Sequence, residues 1–206
     1  MSMPDDAKAT LHTALRRLRA TLLVKVDGLG EYDARRPMTP TGTNLLGLIK
    51  HTGSVQLGYF GEVFDRREDW VVPWLEDDAD DDRDMWVPAS ETRAEILDFF
   101  DRSARHSDAT IDELPLDAPG IVPWWPEERR NVTLHGILAH VVQEFARHAG
   151  HADILRETID GATWNDNRHP VQDDPGFWSD YTRRIEAEAR AAETGAQSAG
   201  PHSTLG

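Results

Sequence analysis

Between Leu134 and Leu155 an apolar residue falls at nearly every third or fourth position: Leu134, Ile137, Leu138, Val141, Val142, Phe145, Ala149, Ala152 and Leu155. That spacing lays one continuous apolar stripe along a helix. Thr133 can cap its start and Gly161 can end it, giving a segment of roughly seven turns. A helix with one apolar stripe must bury it against partners. Three other segments offer matching stripes. Leu11, Leu15, Leu18, Leu22 and Val26 predict a helix from about Asp5 to Gly28. Leu45, Leu48, Ile49, Thr52, Val55, Tyr59, Phe60 and Val63 predict one that starts at Thr43 or Asn44 and ends near Phe64. Ala94, Leu97, Phe100, Ala104 and Ile111 predict one from about Ser90, a loose cap, to Leu114. Gly47, Gly53 and Gly58 lower the helicity of the second segment, and a closely approaching neighbour helix would account for them.

No convincing strand and no internal repeat interrupts this pattern, so the expected fold is all-α: a four-helix bundle with long crossover connections. Phe177 to Ala192, with Trp178, Tyr181 and Ile185, reads as a short C-terminal helix. One domain over 1–192 is expected, followed by a flexible tail over 193–206. The connections are rich in Pro and Trp. Residues 66–88 carry Trp70, Trp74 and Trp86, and PLDAPGIVPWWPEERRN (residues 115–131) carries Trp124 and Trp125. The first is long enough to cover an open end of the bundle.

Composition narrows the function. The chain has 22 Lys and Arg against 37 Asp and Glu, a net charge of −15, which repels nucleic acid and anionic membranes. No apolar run approaches the ~18 residues of a membrane helix. The N-terminal MSMPDDAKATLH shows no secretion leader, so a cytoplasmic location is expected. Cysteine is absent, which excludes disulfides, iron–sulfur clusters and a cysteine nucleophile. Any sulfur chemistry must then use a thiol carried on a small molecule. Glu76 to Asp84 holds seven carboxylates in nine residues. It lacks the Gly and closing Glu of an EF-type calcium loop and reads as a solvated loop.

Four of the nine histidines fall in the segment after Thr133: His135, His140, His148 and His151. At ~100° per residue, with Glu144 at zero, His148 lies near +40°, His151 near −20° and His140 near −40°. Ile137 and Leu155 share that arc at about +20°, whereas His135 points away. A buried ionised carboxylate is costly without a partner. A divalent metal supplies one, since it binds neutral imidazole and carboxylate together. Glu144 and His148 are four apart and can grip one ion. A further ligand should come from another segment. His51, in register with Leu48 and Val55, is the best placed, ahead of His106 and His12. The structural rival is a buried His–Glu hydrogen-bond network that binds nothing.

QEFARHAGHADILRETIDG, from Gln143 to Gly161, resembles an actinobacterial branch of the DinB superfamily of metal-binding four-helix bundles. NLLGLIKHTGSVQLGYF (residues 44–60) and VPWWPEERRNVTLHGILAHVVQE (residues 122–144) extend the likeness over about residues 8–190. The resemblance implies one metal ligand on the second helix and two on the later one, which by position are His51, Glu144 and His148. Glu144 stands where many members have His, as in the branch of mycothiol-dependent maleylpyruvate isomerase. By the same likeness His151 and His140 line the pocket or orient a ligand, and the second-to-third connection crosses the bundle.

Two His and one carboxylate leave a coordination position open, the pattern of catalytic zinc and of non-haem iron. Zinc is favoured, with nickel, manganese or iron as other candidates. The resemblance implies a low-molecular-weight thiol, mycothiol or bacillithiol, as cosubstrate. The leading expectation is a metal- and thiol-dependent transferase or isomerase acting on small electrophiles, with His151 or His140 as proton shuttle. Trp74, Trp86, Trp124 and Trp125 could line its pocket or simply pin the loops. Two readings stay open beside it: a metal-dependent hydrolase, and a non-catalytic metal- or ligand-binding stress-response protein. A homodimer is compatible with the sequence but not specified by it.

Overall fold

The structure, a computed structural model, describes residues 3–76, 82–161 and 175–198. The chain forms two compact units, Met1–Thr163 and Trp164–Gly206. In the first, four long helices make the bundle: α1 (Met3–Val24), α3 (Leu45–Phe60), α4 (Arg93–Glu113) and α5 (Leu134–Asp160), with a short α2 (Glu31–Arg35) between the first two. α3 packs on both α4 and α5, and α1 packs on α5. Leu15, Leu22, Leu48, Ile49, Phe60, Ile96, Phe100, Ile111, Ile137, Leu138, Val141 and Phe145 fill the shared core. On α1, α3 and α5 these are residues of the predicted apolar stripes; on α4 the stripe holds only in part, since Ile96 and Phe99 are buried while Ala94 is exposed and Leu97 and Ala104 are half-buried. The second unit's described part is α6 (Pro175–Ser198), which extends beyond Ala192. The last eight residues of the predicted tail lie outside the described residues. Among the described residues no helix is long and apolar enough to cross a membrane.

The helix ends obey local chemistry. Thr133 accepts from Gly136 N, Asn44 accepts from Gly47 N, and Gly161 ends α5 at φ +74°. The start of α4 departs from the expected Ser90. Thr92 caps it, with Glu95 reaching back to complete a capping box. The Pro-rich stretch expected to be loop holds a small antiparallel pair, β1 (Pro119–Ile121) and β2 (Asn131–Thr133), with Gly120 opposite Val132. Three-residue strands are too short to show a period-two pattern. The turn between them carries Trp124 and Trp125.

The three glycines of α3 serve three different contacts. A Cβ on Gly53 would lie 2.7 Å from the Phe99 ring, so here the neighbouring helix α4 does come close. On Gly58 it would meet Trp124 at 3.4 Å, and on Gly47 it would run into the Met85 carbonyl of the connection after α3. A buried polar cross-link also ties α1, α3 and α4. Arg19 donates to Gln56 Oε1 (2.8 Å) and to Asp108 (2.5 Å), and Asp108 is bonded to His12 at 2.7 Å. His12 is therefore a buried partner of Asp108. His106 is likewise taken up, by Glu68 at 2.6 Å.

Gly47→Ala should destabilise the protein by about 1–3 kcal/mol, the usual cost of overpacking, although alanine is the better helix former. Gly150→Ala, where an added Cβ meets nothing within 4 Å, should instead stabilise by up to about 1 kcal/mol. Urea unfolding of the two variants checks the opposite signs.

Candidate functional site

α3 and α5 run antiparallel, and this orientation pairs their side chains. His51 faces His148 and, two turns along, Tyr59 faces His140; the ring centroids are 4.9 Å and 4.8 Å apart. His151 stands beside His148 at 5.4 Å. Glu144 lies one turn before His148, its Oε2 3.7 Å from His148 Nε2. The structure thus brings His51, Glu144, His148 and His151 together. It sets His140 one step apart, in an aromatic group with Tyr59 and Trp125. His135 is exposed, as its angle on the helix required.

The side chains hold defined partners. His51 Nδ1 is bonded to Asp84 at 2.7 Å. Glu144 accepts from Arg147 at 2.8 Å. His148 is buried, and its Nδ1 has no hydrogen-bond partner among the protein's groups. Burial pushes the pKa of His148 down to about 4, helped by the neighbouring His51 and His151, while Glu144 opposes the shift. At neutral pH the ring is uncharged, so its approach to Glu144 is not an ion pair. Burial also lowers the pKa of His140, against the pull of Glu144. Among the described residues no group of three or more His, Asp or Glu side chains is already arranged around a metal position.

A cleft of about 400 Å³ opens beside this cluster, with Asp84, Ser54, Gly58, Tyr59, Leu75 and Trp124 in its walls. Of the four tryptophans singled out from the sequence, Trp124 alone lines it. Trp125 donates to Tyr59 Oη at 3.1 Å and packs on His140. Trp74 donates to Ser54 Oγ at 3.0 Å and so holds its loop on α3. Trp86 is exposed under the Arg83 guanidinium and is not in the wall.

Two residues of the site were missed in the sequence. Asp84 belongs to the acidic run read as solvated loop, yet only 19% of its side chain is exposed. It stands 33 positions from His51, and no spacing rule links residues that far apart. Tyr59 was counted only as part of an apolar stripe. Its position two turns after His51 on the same helix was the available signal.

The depressed His148 pKa sets a pH dependence. An unfolded histidine titrates near ~6.5, so between that pH and about 4 the unfolded chain binds the proton and the folded chain does not. This contribution to stability is complete above pH ~6.5 and is lost as the pH falls toward 4. In metal-free protein the NMR titration of the His148 ring should have its midpoint about 4. Wild type should lose more stability than His148→Gln over the same acidification.

Comparisons with known proteins bear on the family and the fold. A family model described as mycothiol-S-transferase matches residues 10–161, which span α3, α4, α5 and α1 from Thr10 onward. No curated protein matches significantly in sequence. Among solved structures, a conserved protein from Enterococcus faecalis superposes with a TM-score of 0.54 at 16% identity, over 79% of this chain and 99% of that one. That likeness speaks for the fold alone. The family match contains His51, Glu144 and His148 together, and the chain belongs to the mycothiol-S-transferase family of DinB-like helical bundles.

Proposed function

We propose that this protein is a thiol S-transferase. It joins the sulfur of a mycothiol-type thiol to a small electrophile, with a divalent metal, zinc by preference, held by His51, Glu144 and His148. The observation that carries this reading is the meeting of the His51 and His148 rings, 4.9 Å apart, from two helices that both lie inside the family match. The unpartnered, buried Nδ1 of a neutral His148 supports it, since a neutral imidazole with an unmet nitrogen is a ready metal donor. Glu144 would have to exchange Arg147 for the cation. Arg147 is 59% exposed, and such surface pairs hold by only about 0–1 kcal/mol.

Such a metal, when bound, lowers the pKa of a thiol sulfur and makes it nucleophilic at neutral pH. The chain's own groups do the rest. It supplies no cysteine, so the thiol enters as cosubstrate. The electrophile lies in the cleft against Tyr59 and Trp124, whose rings provide contact area without charge. Transfer forms one carbon–sulfur bond, and the leaving group departs with its electron pair. The thiol proton passes to neutral His140 or to exposed His151, and from there to water.

His51→Ala, Glu144→Ala and His148→Ala should each strip metal from the purified protein, whereas His135→Ala should keep the wild-type content. Elemental analysis reads this directly, and equal metal in all four variants would favour the rival hydrogen-bond network. Activity toward an electrophile panel should saturate with added mycothiol; turnover independent of thiol would mean hydrolysis instead.

A further inference from the structure

Asp84 brings a second carboxylate to the site from outside α5. Its Oδ2 lies 2.7 Å from His51 Nδ1, and the two side chains are only 19% and 21% exposed. An ionised carboxylate can only accept, so Nδ1 carries the proton and Nε2 keeps its lone pair. Asp84 is also fixed by the helix that carries His51. Lys50 Nζ donates to the Arg83 carbonyl at 3.0 Å and to that of Trp86 at 3.1 Å, and Asn44 Nδ2 to that of Met85 at 3.4 Å. The carbonyls on both sides of Asp84 are therefore anchored to α3 or its cap.

We propose that Asp84 is a positioning residue. It locks His51 in the Nδ1–H tautomer and fixes the ring so that Nε2 is the nitrogen offered to a divalent cation. The proposal rests on the metal-dependent reading above. Its physical basis is general: a carboxylate behind a ligating imidazole sets tautomer and orientation, and its loss typically costs about ten- to a hundredfold in metal affinity.

The test compares wild type with Asp84→Ala and Asp84→Glu, all as full-length protein. Long-range nitrogen–proton NMR on the metal-free proteins reads the His51 tautomer. Chelator competition with zinc reads affinity. Wild type and Asp84→Glu should show Nδ1–H, and Asp84→Ala should shift toward Nε2–H and bind zinc about ten- to a hundredfold more weakly. A residue that merely supported the loop would lower the melting temperature of Asp84→Ala and leave the tautomer unchanged. An unchanged tautomer, or equal zinc affinity in Asp84→Ala and wild type, overturns the proposal. If wild type takes up no zinc, the metal reading falls and the cation half of this proposal with it. The NMR comparison then still decides whether Asp84 holds the ring.

Discussion

A lysine ammonium with no exposure to solvent is tolerable only when each of its three protons finds an acceptor. Lys50 is fully buried in the middle of α3 and meets that condition with the carbonyls of Arg83 and Trp86 and with Glu91 Oε2 at 2.8 Å. All three acceptors belong to the connection between α3 and α4. The need to satisfy one buried charge therefore folds an acidic loop onto a helix it would otherwise avoid. Burial lowers the pKa of Lys50 and Glu91 opposes the shift, so the carboxylate keeps the ammonium charged. Arg83 adds a second bond to Glu91 at 2.6 Å, and Trp74 lies 4.1 Å beneath the ammonium. Removing one member of such a buried set typically costs about 3–5 kcal/mol, because the other charge is left behind.

Lys50 and His51 are adjacent in sequence, and this couples the clamp to the chemistry. The same turn of helix that anchors the loop presents His51 to His148, and the anchored loop returns Asp84 to His51. Gly47, one turn earlier, lets the Met85 carbonyl approach closely enough for the loop to lie flat. The site is thus assembled from three directions: α3 gives the facing imidazole, α5 gives Glu144 and His148, and the connection gives the carboxylate behind the ring. The antiparallel pairing of α3 with α5 puts His51 against His148 at one end of the shared face and Tyr59 against His140 at the other, and the cleft beside it is walled by Ser54, Tyr59, Asp84 and Trp124.

The sequence carried the bundle because four apolar stripes at helical spacing leave few other ways to bury their faces, although on α4 the buried face runs through Ile96 and Phe99 rather than Ala94 and Leu97. It placed Glu144, His148 and His151 side by side because residues on one helix obey one angular rule. His51 was legible only as a histidine on a buried face, and its meeting with His148 depends on the direction of packing, which periodicity does not encode. The small β-pair escaped because three residues cannot show a period. Asp84 escaped for a different reason. In a run of carboxylates each member looks alike in sequence, and Asp84 is turned inward by Lys50 and Asn44, far back in the chain.

The distribution of charge explains why such a site can exist in an acidic protein. Near the histidines, Asp84 is taken up by His51 and Glu144 by Arg147, so neither carboxylate is left bare beside the neutral His148 ring. A divalent cation entering there would replace Arg147 as the partner of Glu144, and the released guanidinium, 59% exposed, would be left to water. The absence of cysteine then acquires a physical meaning. A protein thiol beside such a cation would compete for the open coordination position, whereas a small-molecule thiol can enter, react and leave with its product.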